Sequence, residues 1–321
     1  YEPLEEWLLT DCHTLQSIAL LHVFRGPETA IQLDKGVRVR RATDQDFTEI
    51  VNQVGRENQG IGFGKSLVEA TYEVEKSRGM DGTQGLEVIR SVLTALRLAK
   101  GGGVHCGTIL TRRKGEVLQR SHIVLPTPAI ATVYAATEQK DIDRFLEVWR
   151  LCRAGKIPER IVYSIRRFND SYVRWNPEDR MTDLVVALET VFVPDGGAGE
   201  IAYKLRTRLV ALLGRDTDNE QRKHLRDTVR LAYAVRSALV HGSQIERRLT
   251  QKLRKLGLAN LQGLCDQLED LVRSSILLFI REPQLLPAKS MDDAVLGIGA
   301  APKEPVAGPN DPIAENGGDR D

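Results

Sequence analysis

The hydrophobic period of this chain changes once, near residue 155, and that change constrains the fold more than any other feature. From Pro158 to Glu282 apolar residues recur at helical spacing throughout, whereas residues 1–155 mix strand-like alternation with helical stretches. The chain must therefore join a helices-only region to a mixed one.

Start and stop signals are explicit in the helical region. Ile161–Val173 is amphipathic. Asn176 is placed to cap the next helix, with Pro177 at its first position and Glu178 and Asp179 favourable to its dipole. That helix runs through DLVVALETVF to Phe192 and stops at Pro194-Asp195-Gly196. Glu200–Leu213 then ends at Gly214, Asn219–Val240 at Gly242 and Ile245–Leu256 at Gly257, and Asn260–Ile280 closes the set. Short loops favour antiparallel neighbours, so residues 156–282 are expected to form an antiparallel helical bundle.

Residues 1–155 read as an α+β domain. Leu15–Phe24, Lys65–Glu75, Val104–Leu110 and Val117–Leu125 alternate as strands. Thr43, with Asp46 three residues on, caps a helix over Phe47–Val54. Leu86, Ile89, Leu93 and Leu96 mark a second helix, Leu86–Leu98, which stops at Gly101, and Asp141–Cys152 begins a third that leads out of this half. At the other end, six of the 13 prolines fall between Pro283 and Asp321 beside Gly297, Gly299, Gly308, Gly317 and Gly318. Residues 283–321 are accordingly expected to be a disordered tail, with Leu285-Leu286 as a pair able to pack back on the body.

Composition narrows the function classes. A length of 321 residues fits two domains, and 41% hydrophobic with 28% charged residues excludes global disorder. No apolar run reaches the ~20 residues that cross a bilayer. The chain begins at Tyr1 without a signal-like pattern, which reads as a trimmed chain or a fragment. Cys12, Cys106, Cys152 and Cys265 are far apart with no CxxC, so free thiols in a reducing, cytoplasmic compartment are expected rather than disulfides. The formal net charge of +1 conceals an asymmetry: Ile201–Asn260 holds 14 Lys+Arg against 5 Asp+Glu, an excess of +9, and residues 283–321 hold 3 against 7. A basic helical stretch attracts polyanions, although most such stretches are solvated helix faces.

Three motif candidates fail. GIGFGKS at Gly60–Ser66 lacks the first glycine of a P-loop, where Gln59 stands, and leads into a strand rather than a helix. Cys12-His13 and His105-Cys106 have no second pair at ligand spacing, so no metal or cofactor is expected. No GxSxG elbow is present to support a serine hydrolase.

A fourth survives on its context. In LAYAVRSALVHGS, Arg236 precedes His241 with four residues between them. Chance supplies roughly 0.6 such matches in this composition, so spacing alone decides nothing. The pair, however, ends a long helix whose apolar side is Leu231, Val235 and Leu239. The helix dipole there favours an imidazolium, beside a guanidinium that can clamp phosphate. Glu189 is the only charge from Leu184 to Phe192. A carboxylate in so apolar a helix wants a cation. Arg236 or His241 is one choice of partner; a structural Arg206, Arg208 or Arg230 is the other.

DLVVALETVF, the KLRTRLVALL helix and YAVRSALVHG, in this order and spacing, resemble the HEPN superfamily, and more narrowly its Apea-like branch, over Pro158–Glu282. The resemblance implies a compact antiparallel bundle that forms a homodimer, and a metal-independent endoribonuclease of toxin or defence type. Arg236 would then bind and polarise the scissile phosphate of an RNA. His241 would serve as general base on the 2′-hydroxyl or as acid on the leaving oxygen, leaving a 2′,3′-cyclic phosphate. Glu189, Ser237 and Tyr233 would support them. Active members often carry Asn, Asp or His directly after the Arg; Ser237 here is a poorer orienting group for the His. The residues thus leave three readings open: the nuclease, a non-catalytic module for RNA or nucleotide binding and dimerisation, and a structural bundle with a buried Arg236–Glu189 pair. Residues 1–155 resemble, less specifically, the α+β region that precedes Apea-like domains, with target recognition or restraint of the nuclease as the implied role.

Overall fold

A computed structural model describes residues 11–54, 66–75, 77, 81–113, 120–126, 134–196, 200–240 and 246–298. The first region is built on a six-stranded antiparallel sheet. Its strands are β1 (Cys12–Leu21), β3 (Ile31–Asp34), β4 (Val37–Arg41), β5 (Ser66–Glu75), β6 (Thr108–Arg113) and β7 (Arg120–Val124), in the order β3-β4-β5-β1-β6-β7. β1 is the spine, pairing with β5 from Cys12↔Glu75 to Leu21↔Ser66 and with β6 on its other side. Two short strands, β2 (Phe24–Arg25) and β8 (Tyr134–Ala135), pair in parallel apart from the sheet.

Helix α1 (Asp44–Val54) covers one face of the sheet, where Phe47 and Ile50 meet Ile18, Leu20, Leu67 and Leu110. The expected cap is a reciprocal box: Asp46 N donates to Thr43 Oγ1 at 3.2 Å and Thr43 N to Asp46 Oδ2 at 2.8 Å. Helices α2 (Thr83–Ala99) and α3 (Gln139–Arg153) lie on the other face, with the bundle beyond them.

The bundle comprises α4 (Glu159–Tyr172), α5 (Pro177–Phe192), α6 (Ile201–Leu213), α7 (Asn219–Val240), α8 (Glu246–Lys255) and α9 (Leu261–Arg281). Its local signals act as read from the sequence. Asn176 accepts from Glu178 N, Asn260 accepts from Gly263 N, and Gly257 ends α8 in the left-handed region at φ 71°.

Four features differ from the expectations. Ile31–Asp34 and Val37–Arg41 form a hairpin that the strand pattern left out, turning at Lys35-Gly36 with Gly36 at φ 85°. The first strand stops at Leu21 instead of running to Phe24, because Val23 sits at φ 55° and breaks the ladder. The strand expected from Val104 begins at Thr108; before it, His105 makes only an isolated bridge to His22. Lastly, the expected tail does not begin at Pro283. A 3₁₀ turn (Pro283–Leu285) and α10 (Ala288–Val295) continue the folded body, with Leu286 and Met291 buried. Buried Arg208 of α6 clamps α10 by donating Nε and Nη2 to the Asp292 carboxylate at 2.7 and 3.0 Å. Proline content misleads here because Pro283 and Pro287 occupy helix-starting positions rather than helix interiors. Residues 299–321 lie outside the described residues.

The two regions share one apolar core, which runs from Leu21 and Val68 of the sheet through Leu96 and Trp149 to Phe168, Leu188, Leu268 and Met291. A buried polar network crosses the seam between them. Arg97 of α2 donates Nε and Nη2 to Val104 O and Nη1 to Asn169 Oδ1, and its guanidinium lies 4.4 Å from the centre of the Tyr172 ring. The Tyr172 hydroxyl donates to Glu269 Oε1 at 2.6 Å, Arg273 Nη2 donates to the same oxygen at 2.9 Å, and Arg180 binds Oε2. Arg273 Nε closes the network on the Arg97 carbonyl at 2.9 Å. Each donor replaces water lost by a buried charge, so the network joins α2, α4, α5 and α9 into one unit.

Candidate functional site

Helices α5 and α7 pack against each other and bring together two of the sequence-derived site residues, Glu189 and Arg236. Burial of Leu231, Ala232 and Val235 fixes the rotation of α7, which sets Arg236 at the edge of its apolar side. On α5, Leu184, Val185, Leu188 and Val191 are buried and Glu189 emerges beside them. Arg236 Nη2 stands 3.6 Å from Glu189 Oε2, and the two side chains keep 28% and 18% of their surface exposed. None of the alternative partners pairs with Glu189 among the described residues, and Arg206 lies over the Tyr203 ring. Arg208 binds Asp195 and Asp292, and Arg230 leans toward Asp227.

The pair is incompletely used. At 3.6 Å the contact is an ion pair rather than a hydrogen bond. Glu189 Oε1 and Arg236 Nε are shielded from solvent and have no hydrogen-bond partner among the described residues. Burial pushes the Glu189 carboxyl above its ordinary 4.5, and the nearby Arg236 charge pulls it back only in part. A partly exposed guanidinium, held only at 3.6 Å by a carboxylate whose charged form burial disfavours, is equipped to receive an anion.

Tyr233 and Ser237 are both half-buried on α7. Tyr233 lies three residues before Arg236 and shares its side of the helix, whereas Ser237 is turned about 100° away. His241 lies outside the described residues, as do residues 60–65 of the glycine-rich segment; Ser66 opens β5, a strand as expected.

The cysteine–histidine pairs serve the sheet. Burial holds the His105 imidazole down at about 4 and raises the Cys106 thiol to about 12. His105 Nδ1 donates to the Gly103 carbonyl at 2.9 Å and its ring stacks on His22. His13 Nε2 lies 3.2 Å from Arg113 Nη2. Among the described residues no group of three or more His, Cys, Asp or Glu is placed to hold a metal, and no helix is long and apolar enough to cross a membrane. No protein-family model, curated protein or solved structure matches this chain.

Proposed function

We propose that the chain is a metal-independent endoribonuclease of the HEPN type, working as a homodimer on cytoplasmic RNA. The observation that carries this reading is the Arg236–Glu189 pair, whose side chains keep 28% and 18% of their surface exposed and whose contact leaves a hydrogen-bonding atom unspent on each member among the described residues. Arg236 binds the scissile phosphate and stabilises the charge that builds on its oxygens. His241 moves the proton: the 2′-oxygen forms a bond to phosphorus as the bond to the 5′-oxygen breaks, and the departing oxygen takes a proton. Glu189 and Tyr233 support the guanidinium from beside it, with Ser237 as a further polar group on the adjoining face of α7.

The test is cleavage of a fluorogenic RNA by the purified chain in EDTA, with end-group analysis for a 2′,3′-cyclic phosphate. Arg236→Ala and His241→Ala are each expected to lower the rate by about 100-fold or more. Equal cleavage by wild type and both variants overturns the proposal.

A second reading, a non-catalytic RNA- or nucleotide-binding and dimerisation module, is favoured by two observations. Ser237 follows the arginine, and Glu189 offsets the charge that would otherwise hold phosphate. Salt-sensitive RNA binding without turnover selects it.

A further inference from the structure

The basic excess of residues 201–260 gathers at a second place, at the opposite end of α7 from Arg236. There α6, the first turns of α7 and the end of α10 enclose a cleft of about 660 Å³ lined by Arg206, Arg215, Arg222 and Arg226. We propose that this cleft binds a nucleoside phosphate, with its phosphates on the arginines and its base against the apolar wall of Val210 and Leu296.

The charges in the cleft are unbalanced. Arg215 is occupied by the Glu282 carboxylate at 2.6 and 3.0 Å, and Arg226 reaches Asp227 at 3.1 Å. Among the described residues no carboxylate pairs with Arg206 or Arg222. Arg222 and Arg226 stand at i,i+4 on one helix face, where like charges repel, and Arg206 adds a third cation to the same cleft. Dispersed solvated charges would avoid that cost; a ligand of opposite charge removes it.

The guanidinium groups are also held in place. Arg222 donates Nε to the Gly214 carbonyl at 2.8 Å and Nη2 to the Arg215 carbonyl at 3.2 Å. This anchors the group and leaves Nη1 without a protein acceptor among the described residues. The Arg206 guanidinium lies over the Tyr203 ring at 5.6 Å. Arginines fixed by such contacts lose little freedom when they bind phosphate. The wall beside them is apolar and open: Val295 is 40% and Leu296 71% exposed. The Arg208–Asp292 clamp holds that wall, since it fixes α10 on α6. A free inorganic anion would have no use for the wall, whereas a nucleotide uses both surfaces, and the volume falls within the range of small-ligand sites.

The experiment is calorimetric titration of the full chain with ATP, ADP, AMP, adenosine and inorganic phosphate, with a thermal melt of every variant. Saturable nucleotide binding is expected, tightening as phosphates are added. Arg206→Gln and Arg226→Gln are each expected to weaken it by about tenfold. Leu296→Ser should weaken nucleotides while leaving inorganic phosphate unchanged, and the loss on Arg206→Gln should be the same in an Arg236→Ala background, which separates this site from the nuclease proposal. Arg222→Ala is the less safe variant, because Arg222 also bonds the α6–α7 turn, so the conclusion rests on Arg206 and Arg226. Absence of saturable nucleotide binding overturns the proposal. So does nucleotide binding that survives both glutamine variants, or binding of single-stranded RNA alone with a steep salt dependence.

Discussion

Two arginine–carboxylate clusters in this molecule look alike in composition and differ in completeness. At the seam, the Glu269 carboxylate takes donors from Tyr172, Arg180 and Arg273, and is buried among them. At the end of α7, Glu189 faces one arginine at 3.6 Å with an oxygen left over. In the first cluster both oxygens of the carboxylate are taken up by protein donors in the interior, and only Arg180 Nε lacks a partner among the described residues. The second is held near solvent with capacity to spare. Solvent access together with carboxylate satisfaction thus separates residues that hold the fold from residues available for binding.

The contrast can be broken by mutation. Glu269→Ala is expected to have the largest effect, about 3–5 kcal/mol in urea unfolding, because it strands the buried Arg180 and Arg273 charges. Tyr172→Phe removes one donor from the same carboxylate and is expected to cost about 1.5–3 kcal/mol by the same measurement. Arg236→Ala should cost no more than about 1 kcal/mol, as for partly exposed pairs, while lowering the proposed RNA cleavage by about 100-fold or more. A stability loss equal to that of Glu269→Ala would make Arg236 structural and erase the distinction.

The smallest effect sharpens the comparison through pH. Burial raises the folded-state Glu189 carboxyl above its ordinary 4.5, so ionising it costs stability. The contribution is intact below that ordinary value and is lost as pH rises through the folded one. Glu189→Gln should therefore change stability by only a few tenths of a kcal/mol at low pH and become relatively stabilising toward neutrality. Unfolding curves of wild type and variant across this window check it; parallel pH profiles would show that Glu189 is not perturbed. The same substitution should also flatten any rise in phosphate affinity on acidification, since a neutral Glu189 frees the Arg236 charge.

Much of the bundle was legible because its signals are local. Asn176-Pro177, Asn260 and Gly257 mark helix ends through bonds made within a few residues, and the helix bounds follow them closely. Glu189 was legible as an oddity, one charge in an apolar run, but its partner was not. Arg206, Arg208, Arg230 and Arg236 are equivalent in one dimension. What distinguishes them is helix rotation, which aims Arg208 at Asp195 and Asp292 and leaves Arg236 for Glu189. The α10 helix was hidden for a related reason. Its stability comes from Met291 and Asp292 meeting distant parts of the chain, while its own composition reads as a tail.

The amino-acid order by itself determined where the helices of the bundle begin and end, the mixture of sheet and helix in the first half, and the presence of a basic stretch with an arginine near a helix terminus. These rest on capping, periodicity and composition, all short-range. Only the tertiary structure decided that the two halves share one core, that Arg97, Tyr172, Glu269 and Arg273 meet across the seam, and that four arginines converge beside α10. A charge finds its partner through the packing of elements far apart in sequence, because the cost of burying it is met only where several helices supply donors at once.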